Sequence, residues 1–114
     1  MQTLTYENIL TQLVECVPEF QPDGDDLRDG LAYLVLPAFI EFVSQETKKA
    51  RNPEVLERAF GFLEIAADSK EEQVINLLCD ALYEFAISDP EASKAHMGRS
   101  TRRLFRRVMK EVYK

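Results

Sequence analysis

At 114 residues, with 46% apolar and 30% charged side chains, the chain has the size and composition of one globular domain and is excluded from the disordered class. Two cysteines and one histidine are too few for a secreted disulfide scaffold or for a tetrahedral nitrogen–sulfur metal site. The net charge of −6 is modest, and it conceals an uneven distribution taken up below.

Met1-Gln2-Thr3-Leu4-Thr5-Tyr6 lacks a basic segment followed by an apolar one, so no signal peptide is expected. Thr5 can cap a first helix whose Tyr6, Ile9, Leu10, Leu13, Val14 and Val17 share a face, and Pro18 ends it. Cys16 within it, like Cys79 further on, reads as a small buried core residue in a reducing, cytoplasmic compartment. Gln21-Pro22-Asp23-Gly24-Asp25-Asp26 reads as a polar loop leading through Leu27 to Gly30.

The run Leu31 to Ile40 is half the length a bilayer needs, contains Pro37 and leads straight to Glu41, so it belongs to a core and no membrane contact is expected. Leu31 to Leu36 fits either a buried extended stretch or a short helix. Pro37 suits a first helical position, which predicts a helix to about Ala50 burying Phe39, Ile40, Phe42 and Val43. Asn52-Pro53-Glu54 opens the next helix, with Leu56, Ala59, Phe60, Leu63 and Ala67 inward. Ser69-Lys70-Glu71-Glu72 has capping-box spacing and starts a helix that buries Val74, Ile75, Leu78, Leu82 and Phe85. Ser88-Asp89-Pro90-Glu91 starts a short helix that Gly98 can close. Ser100 or Thr101 then caps a last helix, about 100–113. Short connections between such helices imply an all-α fold: one compact domain over 1–114, a bundle of five to six helices with mostly antiparallel neighbours.

Catalytic and cofactor patterns are absent from this reading. Nucleophilic catalysis needs a base beside a nucleophile, and the single His96 stands alone beside Met97 and Gly98. Asp23, Asp25, Asp26 and Asp29 superficially resemble a calcium loop, but the fifth and sixth positions counted from Asp23 hold Leu27 and Arg28 instead of an oxygen ligand and glycine. Gly24, Gly30, Gly61 and Gly98 do not cluster into a phosphate cradle. Asp80 and Glu84 are four apart, as are Glu54 and Arg58; both pairs read as ordinary surface helix pairs. No catalytic residue, metal or cofactor is therefore expected.

Charge is the strongest functional signal. Residues 1–91 carry 19 acids and 6 bases, a balance of −13, whereas residues 92–114 carry 1 acid and 8 bases, a balance of +7. In the last helix Leu104, Phe105, Val108, Met109, Val112 and Tyr113 form an apolar stripe, and Arg102, Arg103, Arg106, Arg107 and Lys110 fill the rest. Three roles fit this helix: packing on the core with its arginines against the domain's own acids or solvent, gripping phosphates or carboxylates, or lying on a membrane or in a calmodulin-type groove. Repulsion between the acidic body and anionic lipid disfavours the last. The acidic body, in turn, suits capture of a basic protein and can occlude the basic channel of a nuclease.

The order of features resembles a small all-helical family of uncharacterised bacterial proteins. The likeness rests on Tyr33-Leu34-Val35 before Phe39 and Phe42, on Ala59-Phe60-Gly61-Phe62-Leu63-Glu64, on Val74-Ile75-Asn76-Leu77-Leu78 leading to Tyr83-Glu84, and on Met97-Gly98 with Thr101-Arg102. Pro37 stands where a small residue such as glycine would be expected. Proteins of this kind are similar to immunity proteins of polymorphic or contact-dependent toxin systems. That resemblance implies a cytoplasmic protein that neutralises a toxin domain by binding it. Candidate partner-binding residues are Asp23, Asp25, Asp26 and Asp29 on the acidic side, and Arg102, Arg103, Arg106 and Arg107 on the basic side. Nucleic acid as partner, or a subunit role using part of Leu31 to Ile40, are the alternatives.

Overall fold

The computed structural model describes residues 4–112 and places seven helices there: α1 (Ile9–Cys16), α2 (Gly24–Arg28), α3 (Ala32–Lys49), α4 (Pro53–Ala67), α5 (Glu72–Ser88), α6 (Pro90–His96) and α7 (Arg99–Val112). No strand occurs among the described residues. The readings that involve Met1–Thr3 and Tyr113 lie outside them.

Five to six helices become seven because the acidic stretch expected as a loop is partly folded. Asp23 accepts hydrogen bonds from the amides of Asp25 (2.9 Å) and Asp26 (3.1 Å), which caps the short helix α2. Ahead of α1, Thr5 and Asn8 form a reciprocal pair. The Asn8 amide donates to Thr5 Oγ1 at 3.2 Å, and the Thr5 amide donates to Asn8 Oδ1 at 2.8 Å. This is capping-box geometry with asparagine in the acid's place. Ile9, Leu13 and Val17 are fully buried, Leu10 and Val14 half-buried, and Tyr6 is exposed.

The start of α3 corrects the sequence expectation. The helix begins at Ala32, so Pro37 lies inside it. A proline there removes the hydrogen bond to the Tyr33 carbonyl four residues back. Tyr33 is 60% exposed, so water can take the place of that amide, and the preceding turn is already held by Leu34 and Val35 amides donating to Leu31. Ala32, Val35, Leu36, Phe39 and Ile40 are buried, whereas Tyr33 and Leu34 face outward.

Pro53 opens α4 as expected. Its inner stripe differs at the end, with Ala66 buried and Ala67 only half-buried, and Phe62 is buried as well. The expected capping box at Ser69 does not form. Ser69 Oγ accepts from the Glu71 amide at 3.2 Å and donates to the Leu4 carbonyl at 2.9 Å, tying the first described residue to the α4–α5 connection, and α5 starts later at Glu72. Asp89 caps α6 through the Ala92 amide at 3.2 Å.

The most extensive helix pairing joins α3 to α5, which are not neighbours in the chain. The Ser44 and Ser88 hydroxyls meet at 3.2 Å, and Ser88 is the last residue of α5. Long overlap from that point requires α5 to run back along the earlier part of α3, so the two helices point the same way, with α4 returning between them. Phe20, Phe39, Phe42 and Phe62 cluster against this pair, with Phe39 edge-on to Phe20 at 5.3 Å and to Phe62 at 5.8 Å. Full burial of side chains such as Phe39 and Phe85 contributes about 2–3 kcal/mol each. Among the described residues, no helix is long and apolar enough to cross a membrane.

Candidate functional site

The acidic candidates of the sequence are largely occupied by local structure. Asp23 is the cap of α2, Asp25 pairs with Arg28, and Asp29 lies 3.9 Å from the same guanidinium. These side chains are mostly exposed (61–76%), so the pairs are solvent-screened and worth little. Asp26 is half-buried. Asp23, Asp25 and Asp29 are thus engaged within or beside one short helix.

Arg102, Arg103, Arg106 and Arg107 emerge together on the outer side of α7. At 100° per residue they and Lys110 span an arc of about 140°, opposite the stripe of Leu104, Phe105 and Val108 that is buried against the core. All five are exposed, and among the described residues none lies within 4 Å of a carboxylate. The stripe is thus docked and the cations are exposed to solvent, with Arg107 and Lys110 bordering a cleft that Asp80 also borders, and Arg102 and Arg106 one that Glu91 borders. Arg102 Nε donates to the Lys94 carbonyl at 3.3 Å, which folds its stem over a small cleft of about 140 Å³ between α6 and α7.

A larger open groove of about 560 Å³ runs between α4 and the end of α6. Pro53, Glu57, Gly61 and Glu64 recur along one side of α4 at helical spacing and form one wall; Ala95, His96 and Gly98 form the other. Leu56 and Phe60, both nearly buried, are the floor. Phe60 stacks on Phe85 at 5.8 Å and carries the exposed His96 ring at 5.3 Å, inclined by 21°. Glu57 is exposed and makes no hydrogen bond or ion pair with the described residues.

Gly61 has no intramolecular reason visible in the packing. It lies exposed in the interior of α4, and a Cβ built there meets nothing within 4 Å. Glycine at such a position costs a helix about 0.5–1 kcal/mol relative to alanine. Gly98 is the opposite case: a Cβ would come within 2.6 Å of the Glu64 carboxyl group.

That carboxyl group anchors α7. Arg99, Ser100 and Thr101 are the first three residues of the helix, and the Arg102 amide closes its first turn on the Gly98 carbonyl. Ser100 and Thr101 were expected as caps; they are instead donors. Their amides donate to Glu64 Oε2 at 2.8 Å and Oε1 at 2.9 Å, the two positions an N-cap side chain serves, and Thr101 Oγ1 donates to Oε1 at 2.8 Å. Gly98 has no side chain to do this, so α4 supplies the cap across the fold, and Ser100 Oγ adds a bond to Asp68. Burial pushes the Glu64 carboxyl upward, but its amide and hydroxyl bonds from Ser100 and Thr101 outweigh that and hold it below the usual carboxylate range. Gly98 was expected to close α6; its role is to admit Glu64.

Comparison with protein families, curated proteins and solved structures gives no match.

The remaining sequence candidates separate. Asp80 borders a cleft with Cys79 and Arg107, whereas Glu84 borders another with Ser44 and Ser88, so the two do not share a site. Arg58 pairs with Glu19 (Nη1 to Oε1, 2.9 Å) and donates to the Cys16 carbonyl at 3.1 Å, in place of the expected partner Glu54. Hydrogen bonding to Arg58 holds Glu19 below its ordinary range. Cys16 and Cys79 are half-buried rather than buried; burial pushes both thiols up, with Arg58 and Arg107 respectively opposing. Glu57, Gly61 and Glu64 were missed as site residues. The available signal was Gly61, a glycine inside a helix with good periodicity on either side.

Proposed function

We propose that this chain is a non-enzymatic protein-binding domain of the cytoplasm, an immunity-type inhibitor that neutralises a bacterial toxin domain by covering its basic surface. The observation that carries this reading is that every helix of the body presents an exposed acid: Glu15, Asp25, Glu41, Glu57, Asp80 and Glu91, one from each of α1 to α6. Arg107 and Lys110 share a cleft with Asp80, and Arg102 and Arg106 share one with Glu91, but among the described residues none of them forms an ion pair there. Glu15, Glu41 and Glu57 share no described cleft with an α7 cation, and a negative surface remains there to attract and orient a basic partner. The resemblance read from the sequence motifs implies the same role. Co-expression with basic toxin domains of polymorphic and contact-dependent systems, scored by survival and co-purification, tests it. Protection accompanied by a complex that forms more slowly as salt rises is the expected result. Toxicity unchanged by the chain, with no complex, would overturn it.

A second reading is favoured by the exposed arc of Arg102, Arg103, Arg106, Arg107 and Lys110, which fits the phosphates of a nucleic acid. Such binding must weaken steeply with salt. A mobility-shift titration with no bound species even at low salt removes this reading.

A further inference from the structure

The α4–α6 groove combines three features. Its wall contains an acid, Glu57, that the fold leaves without a partner among the described residues. Glu64 adds formal negative charge even while its oxygens hold α7. The outward His96 ring on Phe60 offers a flat, half-apolar surface of the kind a guanidinium stacks upon.

Gly61 adds the independent observation. It stands between Glu57 and Glu64 on the same side of α4, lining the groove, where a Cβ would meet nothing within 4 Å. The fold gains nothing from its absence of a Cβ, whereas a chain docking against α4 at that point does. Arg99 follows Gly98 at the start of α7 and is exposed, but it does not line the groove, and Lys94 and Arg102 border the separate cleft beyond Ala95. Charge in the groove is therefore complementary to a basic group, and the space is that of a long side chain with the backbone that carries it.

We propose that this groove docks an arginine side chain of the protein partner, its guanidinium paired with Glu57 and laid on His96, and its backbone admitted against α4 by Gly61. The inference rests on the reading of the chain as a binder of basic proteins and names the place where that binding is anchored.

Amide chemical-shift titration of the full chain at physiological salt tests it, with N-acetyl-arginine methylamide as probe and the neutral N-acetyl-citrulline methylamide as control. Expected are shifts concentrated at Gly61, Ala95, His96 and Gly98, and apparent affinity about fivefold weaker for citrulline, the scale of one partly exposed charge pair. Gly61→Leu should abolish the shifts without lowering Tm, and Glu57→Gln should weaken the arginine probe to the level of citrulline. Shifts gathered at Asp25 and Asp29, spread evenly over the body, or unchanged in the Gly61→Leu and Glu57→Gln chains would overturn the proposal. Protection against a toxin that survives Gly61→Leu overturns this site and leaves the inhibitor reading standing. Arginine seated in the groove without protection from any toxin supports the site and counts against the inhibitor reading alone.

Discussion

On one side of α6, Ala95 and His96 border an acidic groove of about 560 Å³; on the other, Pro90, Glu91 and Lys94 border a basic cleft of about 140 Å³ against α7. The two differ in how the fold treats its own side chains. Over the basic cleft the Arg102 stem is drawn in by its bond to the Lys94 carbonyl. In the acidic groove Gly61 contributes no side chain and Glu57 has no internal duty. Sequence charge alone ranks the arginine helix first; unspent charge beside unfilled space ranks the groove first.

The comparison is broken most severely at the groove floor. Phe60→Ala removes a nearly buried ring that supports His96, and a loss of about 3–5 kcal/mol in urea unfolding is expected. A loss below about 1 kcal/mol would show that the floor is not part of the core. Next comes the clamp shared by both sides of α6. Glu64→Gln replaces a charged acceptor of two amides and a hydroxyl, and should cost about 2 kcal/mol. Because the folded Glu64 carboxyl lies below its ordinary range, its contribution is complete above that range and is lost as pH falls through the depressed value. Stability curves of the parent and the Gln variant should therefore converge in acid; a constant gap down to strongly acidic pH refutes this assignment.

Gly61→Ala acts in the opposite direction, stabilising the domain by about 0.5–1 kcal/mol because the new methyl meets nothing. Thermal unfolding at a lower Tm would reveal a backbone need for glycine. Smallest of all is the double change Arg103→Gln with Arg107→Gln, expected within about 0.5 kcal/mol of the parent because both cations are exposed and unpaired among the described residues. A larger loss would mean that the basic face is engaged with the body after all.

Much of the fold was legible in the sequence, because periodicity and caps are local. Pro53 at the start of α4, Asp89 before α6 and the buried stripe of α7 follow from neighbouring residues alone. Errors arose where a local signal admitted a second use in the fold. Pro37 suits a helix start, yet the solvent-facing Tyr33 lets it sit inside α3. Ser69 has capping-box spacing and its oxygen does accept from the Glu71 amide, yet its hydroxyl also holds the Leu4 carbonyl 65 residues away and α5 starts only at Glu72. The site was less legible for the same reason. Glu64 looks like any acid on a helix surface until Ser100 and Thr101, 36 and 37 residues later, are seen to donate to it.

Capping α7 from α4 also sets an order of events. A helix whose first amides depend on a distant carboxylate lacks a nucleating end of its own, and nucleation is the costly step for a segment of this length. The excised segment 98–112 should show little helical circular dichroism. In the intact chain, folding-rate changes at Ser100 and Thr101 should be small beside their stability changes, with φ-values near zero. Both outcomes are those expected of an arginine helix that locks into place only after α4 presents Glu64.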